Sequence, residues 1–399
     1  MPARADRSVG TGALRSVSVH TAPLLLPVSG PPIADGALAV RAGRVLRVGP
    51  RARIEALYPA RDPVRWPGMI VPGLVDAHVR LGPRLGPALG SVLAHGVTAI
   101  AGVVADADGA AHPDTGSGGA PRPEAGPRPE AGPRPETGPD LASAAVRAGL
   151  GGVTYLETRC ASEGRWEAGG RDRLIAAIHE VDHPGLVGIA AHSPDPLVME
   201  DLAVLSRTFG LRLLVELGHR GVAFLEEAGV LGAGSHVVLS GPLDEADRKL
   251  LRVRGTTAAV TSPFAAQEML DGRNAIAVGT RTGGDPLALA RGFARGFARD
   301  PGTDRLLVEA LTIGGARALG LDEGPGRLGR LEPGCRADFA VFDVDADAET
   351  ACTALLHEGP GRCVATFTAG RPAWRRAVPG RAAGRGGTAP GGAEDSATG

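Results

Sequence analysis

The sequence predicts an α/β fold, a (β/α)8 barrel of the TIM type with a small composite β-sandwich domain built from both chain ends. From residue 69 onward, eight short apolar runs alternate with stretches of helical periodicity, the pattern of a parallel barrel whose strands are buried on both faces. Before and after the barrel, alternating apolar segments are broken by Gly and Pro, which is typical of β-hairpins. A chain of 399 residues with 43% hydrophobic residues is long enough for a barrel of roughly 250 residues and a second small core.

The predicted domains follow from these changes in pattern. Residues 1–12 are polar and are expected to be disordered, and the Gly/Ala-rich tail 377–399 is expected to be disordered as well. Residues 13–67 and 325–376 are predicted to form the composite β-sandwich domain, and residues 68–324 the barrel.

The eight apolar runs of the barrel are expected to be its strands, in the order MIVPGLVDAH, TAIAGVVA, GVTYLE, LVGIAA, LRLLVEL, HVVLS, TAAVT and AIAVGT. Between them, Pro196–Phe209 has apolar residues at helical spacing and is followed by Gly210, which predicts a helix with a glycine C-cap. Residues 304–319 show a similar helical pattern.

A segment between the second and third predicted strands breaks the pattern. Within residues 109–140 the sequence PRPEAG PRPEAG PRPETG repeats in tandem. Such a segment cannot bury apolar surface and favours extended conformations, so we expect a disordered insertion. Simple repeat expansion is favoured over a role as a proline-motif ligand.

Composition excludes several classes of function. The net charge of −1 offers no attraction for nucleic acid or an anionic membrane. No run of 18 apolar residues is present, so no membrane span is expected. The four cysteines show no CxxC spacing and no signal peptide is apparent, which predicts a cytoplasmic protein with reduced thiols.

Several motifs occur in a fixed order: GALAVRAGRVLRVGP, PGMIVPGLVDAHVR, and EALTIGGARALGL followed by GRLEPGCRADFAVFD. Together they resemble the amidohydrolase superfamily over roughly residues 13–376. Within it, GIAAHSPDPLVMEDLAVLSRTFGLRLLVELGH and FLEEAGVLGAGSHVVLSGPLDEADRKLL are similar to the group of imidazolonepropionases, chlorohydrolases and aminodeoxyfutalosine deaminases. The resemblance implies hydrolysis of non-peptide C–N bonds in cyclic amides or amidines, and homodimers are common among similar proteins.

The resemblance also implies a metal site. Members of this group hold one divalent metal, zinc or iron, with two first-strand histidines, a fifth-strand histidine and an eighth-strand aspartate, while a sixth-strand histidine contacts the substrate. The metal acidifies a water that attacks the substrate. In this sequence only His78 matches, and the other four positions hold Arg80, Glu216, Ser240 and Arg281.

These substitutions predict that no metal cofactor binds at the family position. A guanidinium has no lone pair for a metal, and a unit charge facing a dication at about 4 Å costs on the order of 8 kcal/mol at an effective dielectric near 20. We therefore expect a salt-bridge cluster in which Arg80 and Arg281 pair with Glu216 and Glu157. Lys249, in a polar helical stretch, is not expected to bridge two metals.

The candidate catalytic residues are those at predicted strand ends that can transfer protons. His192 ends the fourth strand, where relatives place a substrate-contacting histidine, and Glu157 in TYLETR resembles a strand-end acid of the deaminases. His219 falls where relatives carry a glutamate, although a solvated loop histidine explains it equally well. The predicted catalytic set is His78, Glu216, His192 and Glu157, and the predicted substrate pocket adds Arg80, His219, Ser240 and Arg281.

Two functions remain open from the sequence. The first is a hydrolase or deaminase with a reorganised site. The second is a catalytically inactive homologue that binds a small molecule or a partner chain. The lost metal ligands favour the second, whereas the family resemblance favours the first, and fold alone does not determine function.

Overall fold

The computed structural model describes residues 16–59, 62–81, 85–104, 149–180, 187–217, 221–296 and 300–377. The segments predicted to be disordered, 1–12 and 109–140, lie outside the described residues, as does the tail beyond its first residue. Those three expectations stay predictions.

The described strands belong to two sheets. In chain order they are β1 Ser18–Leu25, β2 Ile33–Arg41, β3 Arg44–Pro50, β4 Val64–Arg65, β5 Met69–Pro72, β6 Leu74–Leu81, β7 Val97–Val104, β8 Gly151–Arg159, β9 Val187–His192, β10 Arg212–Glu216, β11 Ser235–Leu239, β12 Thr257–Val260, β13 Ile276–Val278, β14 Phe339–Phe342, β15 Cys363–Thr368 and β16 Arg371–Arg375.

Strands β6 to β13 form a parallel sheet in sequential order, and each coincides with one of the eight predicted runs. The sheet closes through an isolated parallel bridge between Val79 and Arg281. There the Arg281 N–H donates to the carbonyl of His78 over 2.8 Å, and the Arg80 N–H donates to the carbonyl of Arg281 over 2.9 Å. The predicted (β/α)8 barrel is confirmed.

The second sheet combines both chain ends in the order β16-β15-β14-β5-β1-β2-β3, with β4 paired to β1. Its eight strands form one hydrogen-bonded network. On one face, the rings of Phe339 and Phe367 stack with centroids 4.4 Å apart. The predicted composite β domain from both chain ends is therefore present.

The expected first barrel strand is divided between the two sheets. Met69–Pro72 pairs with β14 and β1 in the composite sheet, and the barrel strand begins at Leu74. The break falls at Gly73, where an added Cβ would lie 2.1 Å from Oγ1 of Thr98. A glycine is needed here because the chain passes so close to the second barrel strand.

The described helices surround the barrel and its joints. They cover Arg51–Leu57, Leu85–Ala94, Glu163–Arg165, Arg171–His179, Pro196–Phe209, Gly221–Glu227, Glu245–Arg254, Pro263–Asp271, Pro286–Ala294, Pro301–Glu309, Gly315–Ala318 and Ala351–Glu358, with π-helical turns at Trp166–Gly170 and Ala310–Gly314. In this part of the chain, none of them combines the length and apolar character that crossing a membrane requires. The expected homodimer and cytoplasmic location stay predictions.

The two predicted helices are present. Pro196–Phe209 begins after Asp195, whose carboxylate accepts from the Leu197 N–H over 3.0 Å, and ends at Gly210 with φ 64°. This is the left-handed cap that the glycine predicted. The helical pattern of residues 304–319 begins slightly earlier, at Pro301, and contains the π-helical turn Ala310–Gly314.

Candidate functional site at the barrel mouth

Five charged or titratable side chains meet where the carboxyl ends of the barrel strands converge. Parallel strands bring these ends to one face of a barrel, which is where such folds carry their chemistry. The five are Arg80 on β6, Glu157 and Arg159 on β8, His192 at the end of β9 and Glu216 at the end of β10.

Arg80 bridges two carboxylates across the barrel. Its Nη1 lies 3.0 Å from Oε1 of Glu157, and its Nη2 forms a short hydrogen bond with Oε1 of Glu216. The Arg80 side chain is 34% exposed, so it remains partly open to solvent. This pairing of Arg80 with both glutamates is the one that the sequence predicted.

His78 lies beneath this bridge with a fully buried side chain. Its Nε2 is 3.0 Å from Oε1 of Glu216, while its Nδ1 is buried without a hydrogen-bond partner among the described residues. The His78 backbone is fixed by Asp76, whose Oδ1 accepts from the His78 N–H at 3.2 Å and from the Thr280 N–H at 2.9 Å. Asp76 thereby connects β6 to the segment that follows β13.

Asp76 is itself buried, and its Oδ2 accepts a hydrogen bond from the Thr280 hydroxyl. Burial raises the pKa of Asp76 to about 6, although the hydrogen bonds from Thr280 oppose that rise. Both carboxylate oxygens of Asp76 therefore bind protein donors.

Three basic side chains, on three different strands, contact Oε1 of Glu157. Besides Arg80, its Oε1 lies 3.0 Å from Nη2 of Arg159 and 3.2 Å from Nε2 of His192, and its side chain is 2% exposed. Burial by itself raises the pKa of Glu157, but the hydrogen bond from Arg159 and the charge of Arg80 outweigh it, so the pKa is lowered.

Glu216 is held in its charged form in the same way. Burial by itself raises the pKa of Glu216, but the hydrogen bond with His78 and the charges of His78 and Arg80 lower it to about 2. Both glutamates of the cluster are therefore ionised near neutral pH. Neither is a proton donor at that pH.

His192 differs from the arginines and glutamates of this cluster in its charge. Burial lowers its pKa despite the nearby negative charge of Glu157, so the imidazole is neutral near pH 7. Although its Nε2 lies 3.2 Å from Glu157, the angles do not make a hydrogen bond, and this buried atom has no such partner in the described part of the chain. This ring nitrogen of His192 therefore faces the Glu157 carboxylate from a buried position.

The other predicted pocket residues do not join this cluster. Arg281 is exposed, has a left-handed φ of 66° and forms no ion pair with a carboxylate of the described ranges, so its expected pairing with Glu216 or Glu157 is wrong. Its backbone takes part in barrel closure through hydrogen bonds with His78 and Arg80. Ser240 is exposed immediately after β11, and His219 lies outside the described residues.

Arg159, and not Arg281, is the second arginine that pairs with Glu157. The sequence did not lead us to predict this pairing. The available signal was its spacing in TYLETR. Two residues apart on one strand, Glu157 and Arg159 face the same side of the sheet, where an acid and a base readily pair.

Solved structures with a similar fold include an adenosine deaminase from Xanthomonas campestris with bound zinc, at a TM-score of 0.68 and 16% identity over 90% of this chain and 93% of that one. Guanine deaminase of E. coli has a TM-score of 0.67 and 16% identity, covering 91% and 100%. Triazine hydrolase of Arthrobacter aurescens has a TM-score of 0.67 and 16% identity, covering 90% and 94%.

The chain has the fold of these deaminases and of this triazine hydrolase. The fold that the resemblance implied is thereby confirmed. No family model matches the sequence. A dihydroorotase of Anaeromyxobacter sp. (strain K) is 27% identical over 226 residues, a match that spans 47% of this chain and 51% of the dihydroorotase, so the chain covers about half the length of that curated relative.

The described residues of the barrel mouth do not present the ligands that a zinc or iron ion requires. A zinc or iron site needs three or more neutral or anionic ligands around an open position. Within the described ranges, no group of three or more His, Cys, Asp or Glu side chains is placed to hold a metal ion. The Oε1 atoms of Glu157 and Glu216 instead contact the Arg80 guanidinium, which has no lone pair to offer.

Proposed function

We propose that this protein binds a small molecule at the barrel mouth without a metal, and that it lacks the metal-dependent hydrolysis of its superfamily. One observation carries the proposal: the Arg80 guanidinium contacts Glu157 with Nη1 and Glu216 with Nη2. A permanent cation of the protein thereby neutralises the carboxylates that a metal ion would otherwise require.

The cluster is stable in this arrangement for an electrostatic reason. Moving Arg80 aside would leave Glu157, which is 2% exposed, with less compensation for its buried charge. Breaking a buried ion pair by removing one partner costs several kcal/mol. A dication entering beside Arg80 would also meet its repulsion. Both effects oppose metal binding at this position.

Without a Lewis acid, a water molecule at the mouth is not acidified toward neutral pH. What the mouth does offer is recognition through the partly exposed Arg80 and the remaining donors of Arg159. Polar groups of this kind at the carboxyl ends of barrel strands fix the orientation of bound small molecules.

Metal analysis tests the proposal. The protein is expressed with added zinc and, separately, with added iron, and metal is measured by mass spectrometry after gel filtration. Far less than one equivalent is expected in both preparations. The solved proteins of similar fold are named for adenosine, guanine and triazine, so hydrolysis is assayed with aminopurine nucleosides, imidazolones and cyclic ureides, and none is expected. One tightly bound equivalent of either metal would contradict the proposal.

A second candidate is a metal-independent hydrolase of C–N bonds in which His192 is the general base. The observation in its favour is the unpartnered Nε2 of a histidine whose pKa is lowered by burial, because a neutral imidazole accepts a proton from water. This candidate requires activity that chelators leave unchanged, that falls as acidification protonates His192, and that is lost in His192→Gln. The absence of any such activity in the wild-type protein would remove it.

A further inference from the structure

The charged side chains of the barrel mouth differ in exposure according to their sign. Among the described residues there, Glu157 and Glu216 contact Arg80, Arg159 contacts Glu157, and Arg281 lies at the rim without an ion pair. The carboxylate of Asp76 is buried and binds protein donors.

The two carboxylates are less exposed to solvent than the arginines. Glu157 is 2% and Glu216 22% exposed, while the side chains of Arg80 and Arg159 are 34% and 55% exposed. Arg281 is exposed as well. A molecule arriving from solvent therefore meets guanidinium groups first.

The arginines lie on the face of the barrel where this architecture binds its ligands. Arg159 is the last residue of β8, and Arg281 follows β13, with β6 and β7 between these strands across the barrel closure. Three strand spacings of about 4.8 Å separate the two strand ends by roughly 14 Å along the wall. Arg80 projects from between them.

We propose that the ligand of the barrel mouth is an anionic small molecule whose carboxylate is held by Arg159 and the partly exposed Arg80, with Arg281 adding attraction from the rim. This inference rests on the proposed function and names its ligand class. The planar fork of a guanidinium matches a carboxylate and binds it with two parallel hydrogen bonds.

Three probes of one shape and different charge test the inference: benzoate, benzamide and benzamidine. Their affinities are measured by ligand-observed NMR titration at low ionic strength with the full chain. Benzoate is expected to bind at least about tenfold more tightly than benzamide, since hydrogen bonds to charged groups contribute that much or more. Benzamidine is expected not to bind. Added salt should weaken benzoate binding, because the open arginines are screened.

Variants locate the site. Arg159→Gln should weaken benzoate binding about tenfold and Arg281→Gln less, while benzamide binding stays unchanged. Arg53→Gln, an exposed arginine on the helix Arg51–Leu57 of the composite domain, is the matched control and should behave as wild type.

Equal affinity for benzoate and benzamide, tighter binding of benzamidine, no binding of any probe, or equal effects of all three variants would each overturn the inference. The proposed absence of a metal is decided separately by metal analysis, so the two failures are distinguishable.

Discussion

Nη1 of Arg80 lies 3.0 Å from Oε1 of Glu157, although the two residues are 77 positions apart in the chain. The contact joins the first and third strands of the barrel across its mouth. It places a fixed positive charge of the protein itself among the strand-end carboxylates.

Restoring the family ligands should restore metal binding. In the triple variant Arg80→His, Glu216→His and Arg281→Asp, the guanidinium is removed and two imidazoles join His78 near an aspartate. About one equivalent of zinc is expected by mass spectrometry after dialysis. The single variant Arg281→Asp, which keeps Arg80 in place, is the control and should stay metal-free. A metal-free triple variant would show that the strand ends no longer present their donors to a common point.

Removing Arg80 alone should destabilise the fold. Arg80→Gln leaves Glu157 and Glu216 without their shared cation, and we expect a loss of about 2 kcal/mol, below the range for a fully buried pair because Arg80 is partly exposed. The double variant Arg80→Gln with Glu157→Gln should recover part of that loss. Urea unfolding of the wild type, both single variants and the double variant gives the coupling energy, and a coupling near zero would contradict the proposed role of the bridge.

The charge of Glu216 should make stability depend on pH in the acid range. Because its pKa is lowered from 4.5 to about 2 in the folded protein, its stabilising contribution is fully present above about pH 4.5 and is lost as the pH falls toward 2. The stability difference between wild type and Glu216→Gln, measured by urea unfolding from pH 7 to pH 3, should therefore shrink on acidification. A difference that is constant over this range would show that Glu216 is not held in its charged form.

Thr280→Val should weaken the junction between the first and last barrel strands. The substitution removes the hydroxyl that donates to the buried carboxylate of Asp76, and an unsatisfied buried acceptor costs about 1 to 3 kcal/mol. It should also raise the pKa of Asp76 further, because one of the groups that lower it is lost. Thr282→Val, at an exposed position two residues later, is the control and should have the stability of the wild type in thermal unfolding.

Much of the fold could be predicted from the sequence because its signals are local. The eight barrel strands are continuous apolar runs, and the helix Pro196–Phe209 has an aspartate before it and a glycine after it. The division of one apolar run at Gly73 was not predictable in this way. Residues on both sides are buried, so periodicity does not show that they belong to different sheets.

The candidate site was predicted in part. Position at a strand end brought Arg80, Glu157, Glu216 and His192 together correctly, because parallel strands align their carboxyl ends. Position did not determine where a side chain points once the strand has ended. Arg281 enters the left-handed region with φ 66° and leaves the cluster, and Arg159, two residues after Glu157 on the same strand, pairs in its place.

The placement of β5 between β1 and β14 has a consequence for biosynthesis. Strand β5, which leads into the barrel, can pair with β14 only after residue 339 has left the ribosome. The composite sheet therefore cannot be completed while the barrel residues are still being synthesised. Pairing between strands so far apart in the sequence slows folding. A chain that ends before β14 would expose the unpaired edge of β5, next to the first barrel strand. We therefore expect truncation before residue 339 to give aggregation rather than a free barrel.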